Sequence, residues 1–381
     1  MNAPERVLKA INHEEPDRVP VFEIITNNTI MRHYGFKPRG ARIPNVSDEI
    51  LKKGVENKEI MKNAFERSFK FSKAVGLDIA YTAASLFPRT ILKGGIILDE
   101  YGRMMRNEVY EKDGTLIYGY VGGFFKNYED YENWEPLDPN WEARWVGFEA
   151  GKEIQEKMNN EILAIPSVGC LMECSWEGFG LEVFSRILTK PKQVQKIFDD
   201  RGKFTLEVVK ILAERNAQMI LLWDDYGYKH GLFMSPQLYK KYIFPWLKRI
   251  CDAAHKQNCR ILLHSDGDLL EIFDDIINCG VDVIHPIEST TANPDYDIFK
   301  LNEKYGDKIT FCGNVSPMML AMGEISEIEA YSKKLLRDIA PGGGYIFSSG
   351  HSINPAVTLD RFEAMQNIRR KYGIYPINVP D

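Results

Sequence analysis

The chain has 381 residues, 44% of them hydrophobic and 27% charged, which suits a water-soluble globular protein with a sizeable core. Its net charge of −6 is spread without a basic run, which argues against nucleic acid, and no apolar run reaches the roughly 18 residues of a membrane span. The N-terminus lacks a secretory layout, and six scattered cysteines (Cys170, Cys174, Cys251, Cys259, Cys279, Cys312) form no disulfide framework, so a reducing cytoplasm is expected.

A helix is expected around residues 4–11. Short apolar, β-branched runs follow at 19–23, 78–82, 162–168, 219–223, 261–264, 281–285, 309–312 and 345–348, each read as a strand, with helical spacing between them. The clearest helix covers 235–255. Ser235 caps it, Pro236 suits its first turn, Leu238, Tyr242, Trp246, Leu247 and Ile250 share one face, and Pro245 should kink it. A second runs over 269–279, with Asp266 or Asp268 near its start and Gly280 past its end. Strands alternating with helices imply a parallel sheet covered by helices, and eight repeats imply a closed (β/α)₈ TIM barrel. One stretch, 96–120, reads instead as antiparallel strands around an Asp113-Gly114 turn. It is too short for its own core and is taken as an insertion in a single domain spanning 1–381, followed by an irregular connector at 134–145.

Active sites of such barrels lie at the C-terminal ends of the strands. The polar residues there are Glu23, Cys170, Asp224 and Asp225, His264 to Asp268, His285 and Glu288, Cys312 to Asn314, and His351. Residues two apart on a strand face the same side, so His264 and Asp266 converge as half of a tetrahedral zinc site. His351 is placed to close that site across the mouth, with Glu288 as a displaceable fourth ligand. A plainer reading has His264 bonding a loop and Asp266 capping the next helix. Asp224-Asp225 reads equally as an acid/base pair or as a helix cap. Cys170 and Cys174 read as buried thiols, with Cys312 a thiolate stand-in at the end of its strand.

Several segments together resemble the uroporphyrinogen decarboxylase superfamily. They are Glu5-Arg6-Val7-Leu8-Lys9-Ala10 with Asp17-Arg18-Val19-Pro20-Val21, Asp224-Asp225-Tyr226-Gly227 with Met234-Ser235-Pro236, His264-Ser265-Asp266-Gly267-Asp268, and the closing Gly342 to His351. The resemblance covers nearly the whole chain and implies a (β/α)₈ barrel, often dimeric. The decarboxylases of that superfamily hold an acidic tetrapyrrole with arginines in an N-terminal segment. Here the segment reads Val21 to Asn28 without arginine, and Glu23 would repel a polycarboxylate.

The other branch comprises cobamide-dependent methyltransferases, whose zinc is held by His-x-Cys and a later Cys. By resemblance His264 matches the histidine, Asp266 the first cysteine and His351 the last. A His₂-carboxylate site is harder than a thiolate site and favours an oxygen substrate. The expected function is therefore methyl transfer from a small methylated donor, an aryl methyl ether, to cob(I)amide. The corrinoid (cobalamin) would be carried by a separate corrinoid protein. Asp225 or Glu288 would assist protonation of the leaving oxygen, and Phe22, Tyr81, Trp176 and Tyr226, with Glu23, would line the substrate site. Open alternatives are a metal-free decarboxylase built on Asp225, a methylcobamide:thiol methyltransferase, and a non-catalytic binder of a corrinoid protein.

Overall fold

The computed structural model describes residues 1–37 and 48–380. Seven parallel strands form one curled sheet in the order β1 (Ile79–Ala83), β2 (Leu163–Gly169), β3 (Met219–Trp223), β4 (Arg260–His264), β5 (Val283–His285), β6 (Thr310–Cys312) and β7 (Tyr345–Ile346). Each coincides with an expected run to within a few residues. The remaining run, 19–23, is not a continuous strand. Pro20 has no N–H to give to a ladder, and the segment pairs only through isolated bridges, Val21 to Phe347 and Ile25 to Ile353. It nevertheless links the two edges. Phe347 N donates to the Pro20 carbonyl and Asp78 N to that of Val21, both at 2.8 Å. The fold is thus TIM-barrel-like.

Strand alternation fills the interior. Ile79, Leu163, Ile165, Met219, Leu221, Leu262, Val283, Cys312 and Ile346 form one inner cluster, with Tyr81 and Trp223 packed on it. The helix Ala3–Ile11 plugs the N-terminal end by adding Val7 and Ile11. Its first turn is held by a capping box between Asn2 and Glu5. At the same end Asp78, fully buried, accepts from Arg6 Nη1 at 2.7 Å, from Arg18 Nη1 at 2.8 Å and from Val21 N at 2.9 Å. That bonding ties the N-terminal segment to β1.

The antiparallel insertion is larger than expected. Four strands, Pro88–Leu92, Ile96–Asp99, Arg103–Tyr110 and Thr115–Gly123, make up its sheet. The first was hidden by its opening proline, which an edge strand tolerates at its first position. The kink expected from Pro245 is a π-turn, Tyr239–Ile243, ahead of the helix Phe244–His255. The segment after β4 begins as a 3₁₀ turn, Leu270–Ile272, before the helix Phe273–Asn278. No helix among the described residues is long and apolar enough to cross a membrane.

Candidate metal centre at the strand ends

Register brings the polar strand ends together. β3 and β4 pair Trp223 with His264, and β4 and β5 pair His264 with His285. Three inward rings therefore stand side by side, with centroids 4.7 Å apart for Trp223–His264 and 5.0 Å for His264–His285. Just beyond, Asp266 N donates to Asp225 Oδ1 at 2.8 Å. Gly267 then turns the chain at φ +93°, and a Cβ there would lie 2.2 Å from the backbone of Gly227. Only glycine meets both conditions.

His264 Nε2 lies 3.9 Å from both Asp225 Oδ1 and Asp266 Oδ1. Ligand atoms of these three residues all fall within 4.8 Å of one another. A separation of 3.9 Å is too long for a hydrogen bond. It is near the spacing of two donors sharing one ion, which bond lengths of about 2.1 Å at a tetrahedral angle set at about 3.4 Å. Asp266 Oδ1 is buried without a hydrogen-bond partner among the described residues. Such an orphaned oxygen costs about 1–3 kcal/mol, and a cation between the three side chains would satisfy it. The residues fit a divalent metal.

The remaining expected ligands are placed differently. His351 Nε2 lies 2.9 Å from Asp266 Oδ2, on the half-exposed rim, and Asp225 instead of His351 joins the three-residue group. Glu288 spends both oxygens on the turn below Asp266: Gly267 N donates to Oε2 at 2.8 Å and Thr290 Oγ1 to Oε1.

The electrostatics fit a cation as well. Burial lowers His264 to about 4, although Asp266 opposes this, and burial with His264 lowers His285 further. Both imidazoles are neutral at neutral pH, as a ligand must be. His351 is raised by its hydrogen bond to Asp266. Burial raises Asp225, and repulsion from Glu173 and Asp266 adds to it. Burial also raises Glu173. It pushes Asp266 up too, but the neighbouring histidines outweigh it and hold that carboxyl below its ordinary value. The nearby cation Arg103 is already shared by Asp99 and Glu177, each at 2.7 Å, and by Glu173 at 3.4 Å.

Other expected residues take supporting roles. Asp224 caps the helix Met172–Phe179, accepting from Met172 N at 2.6 Å and Glu173 N at 3.0 Å. Glu23 is buried, and its carboxyl is tied to Ser349 N at 2.8 Å and Ser349 Oγ at 2.6 Å. Tyr226 is fully buried against Tyr239 and Phe244, so it is core and not a substrate contact. Phe22, also fully buried, forms the floor with its ring against His285 and Tyr81. Trp176 is half-buried between Tyr120 and Phe233, and its Nε1 is buried without an acceptor among the described residues. All six cysteines are free and buried.

Sequence reasoning missed Trp223 and Glu173. Trp223 carried a signal, since it shares strand parity with Met219 and Leu221. Glu173 carried none, because its approach to Asp225 depends on the Asp224 cap. A cavity of about 500 Å³ beside Tyr131, Trp134 and Arg201 shares no residue with the strand-end cluster.

Comparison with known proteins places this geometry in context. The family model for uroporphyrinogen decarboxylase (URO-D) matches residues 122–372. A methyltransferase from Methanosarcina mazei superimposes with a TM-score of 0.68 over 98% of this chain and 99% of that one, at 20% identity, a likeness of fold. Uroporphyrinogen decarboxylase of Pseudoalteromonas atlantica is 23% identical over 256 residues, 64% of this chain and 68% of that protein. The Coxiella burnetii enzyme of the same name is 25% identical over 183 residues, 46% of this chain and 47% of that protein, so the match spans about half its length.

Proposed function

This chain belongs to the uroporphyrinogen decarboxylase (URO-D) family, and we propose that it is a zinc-dependent methyltransferase, moving a methyl group from an aryl methyl ether to the cob(I)amide of a separate corrinoid protein. The observation that carries the reading is the Asp225–His264–Asp266 group, with its orphaned Asp266 oxygen, at the mouth of the barrel. The surroundings argue against a polycarboxylate substrate. Asp225, Asp266 and Glu173 crowd the mouth, and Arg103 is already engaged by three carboxylates.

Asp225, His264 and Asp266 would hold the metal, which when bound supplies Lewis-acid polarisation of the ether oxygen. A set of one nitrogen and two oxygens is harder than a thiolate set and suits an oxygen donor. Trp223 and Tyr81, half-buried and 5.6 Å apart between centroids, offer an aromatic floor beside His264 on which an aryl ring can be oriented. The corrinoid partner would supply the nucleophile that accepts the methyl group, and the electron pair of the O–CH₃ bond would stay on the ether oxygen. His351, on the rim and hydrogen-bonded to Asp266, is placed to hand its Nε2 proton to the departing oxygen.

The test is incubation of zinc-loaded protein with aryl methyl ethers and cob(I)alamin, following loss of the cob(I)alamin absorbance and release of the phenol. Demethylation should require both zinc and corrinoid and should fail in Asp225→Ala and His264→Ala. Decarboxylation of a porphyrinogen by metal-free protein, with no ether demethylation, would overturn the reading.

A further inference from the structure

We propose that His285 is a positioning residue that fixes His264 as its Nδ1–H tautomer, leaving Nε2 of His264 bare toward Asp225 and Asp266. The choice of tautomer rests on the metal reading of the Asp225–His264–Asp266 group, while the Nδ1–Nδ1 contact beneath it belongs to the metal-free chain.

The argument begins with register. His264 and His285 are paired residues on adjacent parallel strands, so both rings point into the barrel from neighbouring positions. Both are buried, at 7% and 1% exposure, and Nδ1 of one lies 2.7 Å from Nδ1 of the other. At that distance the nitrogens share one proton: one ring donates and the other accepts.

Two arrangements satisfy this contact, and the rest of the site chooses between them. If His285 donated, the neutral His264 would carry its own proton on Nε2. That N–H would point into the gap shared with Asp225 Oδ1 and Asp266 Oδ1, each 3.9 Å away, and His264 would offer no lone pair to a metal there. If His264 donates, its Nε2 is a lone pair, and His285 carries its proton on its own Nε2. The lone pair then joins the orphaned Asp266 Oδ1 and Asp225 Oδ1 around one gap. Three such atoms around one gap are the arrangement that a shared cation would join. A histidine that ligates through one nitrogen needs an acceptor for the N–H on the other, and His285 fills that role with a second imidazole.

The experiment uses the full chain with histidine-selective ¹⁵N labelling. In metal-free wild-type protein, long-range ¹H–¹⁵N spectra should show His264 protonated on Nδ1 and bare on Nε2; the reverse pattern overturns the proposal. Zinc affinity, measured by chelator competition, is the second readout. His285→Phe removes the acceptor and should weaken zinc by about 10–100-fold. His285→Asn puts an amide oxygen where Nδ1 stood and should keep most of the affinity and the wild-type His264 pattern. A phenylalanine variant that binds zinc as tightly as wild type also overturns the proposal. Should that variant fail to fold, the wild-type spectra decide alone. They do so equally if the protein proves not to use zinc, so the two readings fail separately.

Discussion

Glu23 offers a test of how the barrel positions its rim. The side chain is 5% exposed, with Oε1 accepting from Ser349 N at 2.8 Å and Oε2 lying 2.6 Å from Ser349 Oγ. The Ser349 hydroxyl also donates to the carbonyl of His351. A hydroxyl has one proton, so when Ser349 gives it to His351, Glu23 must supply the proton in the 2.6 Å contact. Burial agrees, pushing Glu23 from 4.5 up to about 8 against the opposing bonds from Ser349. Because the folded value lies above the unfolded one, this stability is full below the unfolded value. It is lost as pH rises toward the folded value and then levels off. Between pH 5.5 and 9 the loss comes to roughly 3 kcal/mol at 1.36 kcal/mol per pKa unit.

Glu23→Gln keeps both contacts, a carbonyl for Ser349 N and an amide N–H for Ser349 Oγ, and never ionises. Its stability relative to wild type should therefore rise by roughly 3 kcal/mol from pH 5.5 to pH 9. A spare amide hydrogen adds only a pH-independent offset. Equilibrium urea unfolding of both proteins across that range measures the difference, in which distant titrating groups cancel. A difference that stays flat with pH, or falls, would mean that Glu23 is ionised in the fold and would refute the reasoning.

Metal analysis of purified protein should find about one zinc per chain, lost in His264→Ala and Asp225→Ala with circular dichroism unchanged. Asp266→Cys should retain zinc but soften the site, lowering ether demethylation by roughly 10²-fold while favouring thioethers, read from methyl transfer to cob(I)alamin over a donor panel. Asp78→Ala should cost about 1–3 kcal/mol in urea unfolding, since Val21 N and Arg18 lose their acceptor while Arg6 keeps its pairing with Asp17.

What the sequence determined by itself was local. Met219–Trp223 was read with its observed bounds because an unbroken apolar run flanked by polar residues has few other uses. The i, i+2 rule put His264 and Asp266 on one side, and the count of strand-like runs led to the barrel. The first strand was misjudged because one residue, Pro20, interrupts its pairing, and the insertion was cut short because its opening strand begins at Pro88. The placements of Asp225, His351 and Glu23 were decided by tertiary structure alone. Asp225 reaches His264 because β3 lies beside β4, His285 reaches it because β4 and β5 pair without offset, and Glu23 meets Ser349 across 326 residues of chain. Periodicity along one strand is a property of neighbouring residues and can be read from them. Register between strands is settled by the packing of all of them at once, and which carboxyl keeps its proton follows from the burial that this packing creates.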